Sequence, residues 1–162
     1  MRLGVLSDTH GNMARTEVAA KLLQSQGVTQ IIHCGDVGDV DVVYLLDFCP
    51  CHYVRGNVDY EVELAEAVRR AGHTYHGAFG EIALEGRKIA FLHGDDSRQL
   101  QRAIASGQYA LVCHGHTHHA GNSLQGTTRV LNPGAIQRTN SPSVAVVELP
   151  SLAVTPLILP DE

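Results

Sequence analysis

Apolar residues in this chain fall into short, β-branched runs that alternate with stretches of helical spacing. Residues 2–7, 29–34 and 51–55 have the length and composition of buried strands. Between the first two, residues 13–26 place Met13, Val18, Ala19, Leu22 and Leu23 on one helical face, and Gly27 stops the pattern. Residues 40–48 read as a second helix that stops before Pro50. This β-α-β-α-β order predicts a parallel sheet with helices on its faces. Residues 61–71 form a short amphipathic helix. Residues 79–85 and 87–92 are two strands joined at Glu85-Gly86, a hairpin signal. Residues 97–106 are helical, with Ser97 as N-cap, and 109–113 are a further buried strand. After His119, strands are expected over 121–125, 128–131, 143–149 and 152–158, with Gly126, Asn132-Pro133-Gly134 and Pro150-Ser151 between them. A second, more antiparallel sheet packed on the first is the simple reading. The fold class expected is therefore α/β, with two packed mixed β-sheets flanked by helices. No repeat, low-complexity tract or long linker divides residues 1–162, so one domain is expected.

Composition narrows the function. The chain is 44% hydrophobic over 162 residues, enough for a packed core and against disorder. Its net charge of -5 argues against extended nucleic acid, which requires a basic patch. No apolar run approaches the roughly 20 residues of a membrane span, so no membrane is expected. The opening MRLGVLSDTH turns polar too soon for a signal peptide, which points to the cytoplasm. Cys34 and Cys113 lie in strand-like runs and read as buried thiols. Cys49-Pro50-Cys51 is too short for common zinc spacings and reads as a turn before a strand.

The chemistry lies where the strands stop. Five apolar runs end on metal-ligand side chains: Asp8 and His10, Asp36, Asn57, His93, and His116 with His118. Ligands of open α/β sheets bind outside the carboxyl ends of the strands. If these strands share one sheet, seven ligands meet in one crevice, too many for one ion and about right for two. Asp8 and His10 stand two apart, so an extended backbone would point both the same way. Gly35 lets the chain pass close to the site before Asp36, whose two oxygens can bridge two cations. Imidazoles favour Mn, Fe, Ni, Co or Zn over Mg or Ca. Mixed N/O ligation without thiolate fits a catalytic site.

In order, the motifs are SDTHGN at 7–12, CGDVGD at 34–39, RGNVD at 55–59, LHGD at 92–95 and HGHTH at 114–118. Together they resemble the calcineurin-like metallophosphoesterase family over residues 2 to about 149. NPGAIQR at 132–138 resembles its small YfcE-like branch. The resemblance implies a metallophosphoesterase-like fold and two divalent ions, with Mn expected and Fe, Zn, Ni or Co as alternatives. It implies that Asp8, His10 and His118 hold one ion, that Asn57, His93 and His116 hold the other, and that Asp36 bridges them. It also implies hydrolysis by a metal-bridging hydroxide on a small phosphodiester, with Asp36, Asn57, His10 and Asp59 as the catalytic set. Asp59 would orient a ligand or the phosphate. Many members carry a histidine after Gly-Asn; here the residue is Val58, which transfers no proton. A general acid contributes roughly 10²–10⁴-fold, so its loss should hurt poor, basic leaving groups most. Members of the YfcE-like branch often lack this histidine too, and that resemblance implies phosphodiester hydrolysis. A general phosphomonoesterase is one alternative. A protein-interaction platform like the retromer scaffold subunit, with a vestigial metal site, is another. A homodimer suits a compact enzyme of this kind.

The other polar residues have plainer readings. His33 is a satisfied core histidine, and His52, His73 and His76 are surface or packing residues. His114 packs beside the site, sharing the direction of His116 in an extended segment. His119 and Arg138 are each placed between a substrate contact and an ordinary surface role. Asp39 and Asp41 cap the second helix, and Asp95 either supports a ligand imidazole or caps the next helix.

Overall fold

The computed structural model describes residues 1–161. Its elements are β1 (Arg2–Leu6), α1 (Met13–Ser25), β2 (Gln30–His33), α2 (Val42–Leu45), β3 (Cys51–Tyr53), α3 (Glu61–Arg70), β4 (Thr74–Tyr75), β5 (Phe79–Leu84) and β6 (Arg87–Leu92). The chain continues through α4 (Ser97–Ala105), β7 (Leu111–Cys113), β8 (Gly121–Gln125), β9 (Thr128–Asn132), β10 (Ser143–Glu148) and β11 (Val154–Ile158).

The strands form a six-stranded sheet, β11-β10-β1-β2-β3-β4, and a five-stranded sheet, β5-β6-β7-β9-β8. Both are mixed, as expected. In the first, β1 to β4 run parallel and β10 is antiparallel to β1. In the second, β6, β7 and β9 run parallel, with β5 and β8 antiparallel at the two edges. Two expectations are corrected. The strands after residue 121 do not build a sheet of their own: β8 and β9 extend the second sheet, while β10 and β11 return to the first beside β1. The five ligand-bearing strands also do not share one sheet. β1, β2 and β3 belong to one and β6 and β7 to the other, so the site spans the end of a sandwich.

Side-chain alternation explains this layering. Leu3 and Val5 of β1 meet Ile32, Ile89, Phe91, Leu111 and Val147 between the sheets. On the outer face, Leu6 and Ile31 pack with Ala19 and Leu23 of α1, Val42 of α2 and Leu64 of α3. Ala103 and Ile104 of α4 cover Ala90, Leu92 and Val112 on the outer face of the second sheet. Each fully buried aliphatic of this kind contributes about 1.5–3 kcal/mol. Phe91 fills the gap left by Gly80, where a Cβ would overlap its ring.

Smaller differences have local causes. The 40–48 helix shortens to Val42–Leu45, and Asp41 makes no side-chain cap, while Asp39 Oδ1 instead accepts from the Asp41 N–H. The last helix is capped by Asp96, not Ser97: Asp96 Oδ1 accepts from the N–H groups of Arg98 and Gln99. A carboxylate one residue earlier reaches both donors. The two-residue β4 carried no periodicity to find. Glu85 and Gly86 both adopt positive φ (51° and 73°), as a tight hairpin requires. No described helix is long and apolar enough to cross a membrane.

Histidines in the interior set the acid response of the fold. Burial, aided by the His93 charge, pushes His33 down to about 3. Burial with the His76 and His73 charges pushes His52 down to about 4. The unfolded chain binds these protons first, so folding stability is present above the ordinary value of 6.5 and is lost below it. Between about pH 6 and pH 4, the chelated protein should lose stability at about 1.4 kcal/mol per pH unit from His33 alone. Denaturant midpoints measured across that interval check this; a flat or rising trend on acidification contradicts it.

Candidate metal centre

The seven ligand-type residues lie just past the carboxyl ends of β1, β2, β3, β6 and β7. Five of them do not continue the strand. Asp8, His10, Asp36, His116 and His118 adopt φ of 57°, 43°, 55°, 70° and 63°. The expected extended backbone at Asp8 and His10 is therefore corrected, and so is the shared direction of His114 and His116. Each residue in this region costs roughly 1–3 kcal/mol and persists only where its surroundings hold it.

The surroundings are a ladder of main-chain bonds between two exit loops. Asp8 N–H donates to Gly35 O (3.0 Å), His10 N–H to Asp36 O (3.0 Å) and Gly11 N–H to Val37 O (2.9 Å). Two more donors fasten the loop after β9: Ile136 N–H reaches Ser7 O, and Gln137 N–H reaches Asp8 O. At β7, Gly115 N–H donates to His93 O, while Asn132 Nδ2 donates to Gly115 O. The HGHTH loop is thus pinned from both sides.

These turns bring the side chains together. Asp8 is fully buried, and its Oδ2 accepts from Ser7 Oγ (2.6 Å) and the His116 N–H (3.2 Å). Its Oδ1 faces His118 Nε2 at 3.1 Å and His10 Nε2 at 3.5 Å. Asp36 Oδ1 accepts from the Val58 N–H (3.1 Å). Its Oδ2 lies between His93 Nε2 at 3.2 Å and His10 Nε2 at 3.5 Å. His116 Nδ1 lies 3.3 Å from His93 Nε2. Ligand atoms of Asp8, His10 and His118 all fall within 4.8 Å of one another, as do those of Asp8, Asp36 and His93. Asp8 thus enters both groups. Asn57 is exposed on the loop after β3, beside Gly56, whose own position presses against Asp36.

Protonation and orphaned atoms test whether this set fits a cation. His93 Nδ1 lies 2.9 Å from Cys34 O, which can only accept, so Nδ1 carries a proton and a neutral ring would present its Nε2 lone pair inward. His10 Nε2 is buried without a hydrogen-bond partner. Two carboxylate oxygens and these imidazole nitrogens converge, an arrangement that a cation would satisfy. In the metal-free chain, burial pushes Asp36 up, but the hydrogen bond and charge of His93, the Val58 N–H and the His10 charge outweigh it and bring it down to about 2. Burial pushes His93 down, and the Asp36 hydrogen bond and charge, the Cys34 carbonyl and Asp8 outweigh it, leaving His93 raised. Burial lowers His10 against the pull of Asp36, and Arg138 lowers it further.

The remaining residues separate clearly. Asp59 meets no ligand side chain; its carboxylate accepts from the backbone N–H groups of Val37 (3.2 Å), Gly38 (3.0 Å) and Gly56 (2.8 Å). It ties the loop after β3 to the loop after β2. His114 turns back to Gly115 O, and His119 and Asp95 are exposed. Arg138 is exposed at φ 63° in the loop that closes over Asp8. Asn132 is the contributor that sequence reading missed. Its side chain clasps Gly115 O and Thr117 Oγ1, and its place in an Asn-Pro-Gly turn was the available signal.

The structure is that of a two-sheet α/β protein with a carboxylate–imidazole cluster able to hold a cation at the shared strand ends. The family model described as the calcineurin-like phosphoesterase superfamily domain matches residues 1–151, and the chain belongs to that family. Phosphodiesterase MJ0936 of Methanocaldococcus jannaschii is 27% identical over 154 residues, covering 91% of this chain and 93% of the relative. A solved archaeal phosphodiesterase superposes with a TM-score of 0.91 at 25% identity, covering 98% of this chain and all (100%) of its own. The E. coli phosphoesterase Yfce shares the fold, with a TM-score of 0.71 at 20% identity and coverage of 99% and 100%.

Two glycines give the centre a steric test. A Cβ at Gly56 would overlap Asp36 Oδ1 and its backbone nitrogen, and one at Gly115 would overlap Ser7 Oγ and crowd Asp8 Oδ2. Gly56→Ala and Gly115→Ala should each weaken Mn²⁺ binding by roughly tenfold or more, since displaced supports typically cost that much. Calorimetric titration, with circular dichroism confirming a folded chain, checks this. Parent-like affinity in both variants contradicts it.

Proposed function

We propose that this chain is a metal-dependent phosphodiesterase that holds two divalent cations, with Mn the expected pair and Fe, Zn, Ni or Co as alternatives. The observation that carries the reading is Asp36 Oδ2, set between His10 Nε2 and His93 Nε2, nitrogens assigned to different ions. Asp8, His10 and His118 would hold one cation; His93, His116 and Asn57 would hold the other; Asp36 would lie between. When bound, such a pair lowers the pKa of a water and neutralises phosphoryl charge.

The protein residues do the rest. Asp8 and Asp36 each use one oxygen to accept protein donors and keep the other turned into the site. That division fixes both carboxylates before a substrate arrives, and positioning of this kind costs no reorganisation during reaction. Asp59 acts through the loops it joins and not by contact with substrate. Arg138 sits close enough to lower His10 by its charge, a suitable place to meet a phosphate oxygen. A small phosphodiester suits a chain of net charge -5 better than extended nucleic acid does. A cytoplasmic homodimer remains the assembly expected from the sequence.

The diester preference rests on the phosphodiesterase relatives, and Val58 sets the leaving-group dependence. Val58 is 40% exposed at the rim and offers the site only its backbone N–H. No side chain at position 58 protonates a departing alkoxide, so esters with basic leaving groups, monoester or diester, turn over slowly. The Mn²⁺-loaded protein should turn over an aryl phosphodiester faster than the phosphomonoester with the same leaving group. Val58→His should raise turnover of an alkyl phosphomonoester by roughly tenfold or more. Parallel steady-state assays of parent and variant measure both. A parent that prefers the monoester overturns the diesterase reading, and loss of neither activity on chelation overturns the metal dependence.

A further inference from the structure

We propose that His33 is a positioning residue of the metal centre: through Thr9 and Gly35, its imidazole locks the Asp8–His10 loop onto the loop that carries Asp36. The proposal rests on reading the cluster as a cation site.

His33 ends β2, in register with Leu6 of β1 and Tyr53 of β3. It is fully buried, and its ring stacks on Tyr53 with centroids 5.5 Å apart and planes 21° apart. Both ring nitrogens are engaged. Gly35 N–H donates to Nδ1 at 3.1 Å. Thr9 Oγ1 lies 3.1 Å from Nε2 and 2.8 Å from Val37 O. The Val37 carbonyl can only accept, so the Thr9 hydroxyl proton points to it. Thr9 Oγ1 is then left to accept from Nε2–H. Nδ1, which accepts, carries no proton. The geometry therefore specifies one tautomer and one direction for every bond in the bridge.

The bridge lies at the root of the ligand loops. Thr9 stands between Asp8 and His10, and Gly35 precedes Asp36. Asp8, His10 and Asp36 all have positive φ, and main-chain bonds already join their loops side by side. The imidazole adds a cross-tie to that ladder from the end of β2. Gly35 adopts φ 97°, and a Cβ there would overlap the Arg55–Gly56 backbone, so its N–H is aimed at the ring from a fixed position. A hydrophobic residue at 33 would fill the space beside Tyr53 and leave Thr9 and Gly35 without their partner.

Mn²⁺ titration calorimetry on Thr9→Val, His33→Phe and His33→Gln, with 15N-histidine NMR of the metal-free parent, tests the proposal. Thr9→Val and His33→Phe should each weaken Mn²⁺ binding roughly 10–100-fold, the usual cost of losing a support to a ligand. Their double variant should lose little more than either alone, because both cut one bridge. His33→Gln, whose side-chain amide can donate from the Nε2 position, should recover part of the loss. NMR should show His33 protonated at Nε2 only. Folded variants that bind Mn²⁺ as tightly as the parent, or an Nδ1-protonated ring in the parent, overturn the role of His33 and leave the metal centre standing. A parent that binds no Mn²⁺ overturns both.

Discussion

The centre depends on one constraint: two loops leaving adjacent parallel strands must run side by side for three residues after the strands have ended. The bonds from Asp8, His10 and Gly11 to the carbonyls of Gly35, Asp36 and Val37 enforce it. That ladder is the main-chain hold on Asp8, His10 and Asp36, all in left-handed conformations that cost free energy. With it, each side chain turns away from the strand direction into the space at the end of the sandwich. Gly38 allows the close approach, since a Cβ there would overlap the His10–Gly11 backbone.

The sandwich supplies rigidity beneath the ladder. β1 is buried on both faces, with Leu3 and Val5 directed to the second sheet and Leu6 to α1. The second sheet presents His93 directly after β6 and the HGHTH loop after β7, and Gly115 N–H to His93 O joins them. Ligand-type side chains from two sheets thus meet across an interface already fixed by apolar packing. Asp59 extends the same logic to the third loop. Its carboxylate is consumed by three backbone donors, and its contribution is to hold the Gly56–Asn57 turn against Asp36.

Much of this was legible in the sequence. The short β-branched apolar runs carried the strands and their order, because buried strands leave continuous apolar signatures; the two-residue β4 left none. The positions of Asp8, His10, Asp36, His93, His116 and His118 at strand ends were readable for the same reason. Partner choice among the late strands was not: β10 inserts beside β1, a pairing 140 or so residues away that no local pattern encodes. Asp8 and His10 do point to one site, but not from an extended backbone, because positive φ on non-glycine residues is set by tertiary hydrogen bonds and leaves no trace in composition. Asp59 was visible as an acid near the site, but its use by backbone donors appears only once the loops are folded. His33 read correctly as a satisfied core histidine, and the identity of its partners came from the fold.

The central claim is that Asp36 lies between two cations. Crystals grown with Mn²⁺ and measured at a wavelength where manganese scatters anomalously test it most directly. Two anomalous peaks roughly 3.5–4 Å apart are expected. One should lie among Asp8, His10 and His118, the other among His93, His116 and Asn57, with Asp36 contacting both. A single peak, or two peaks with Asp36 outside the first coordination sphere of either, would contradict it.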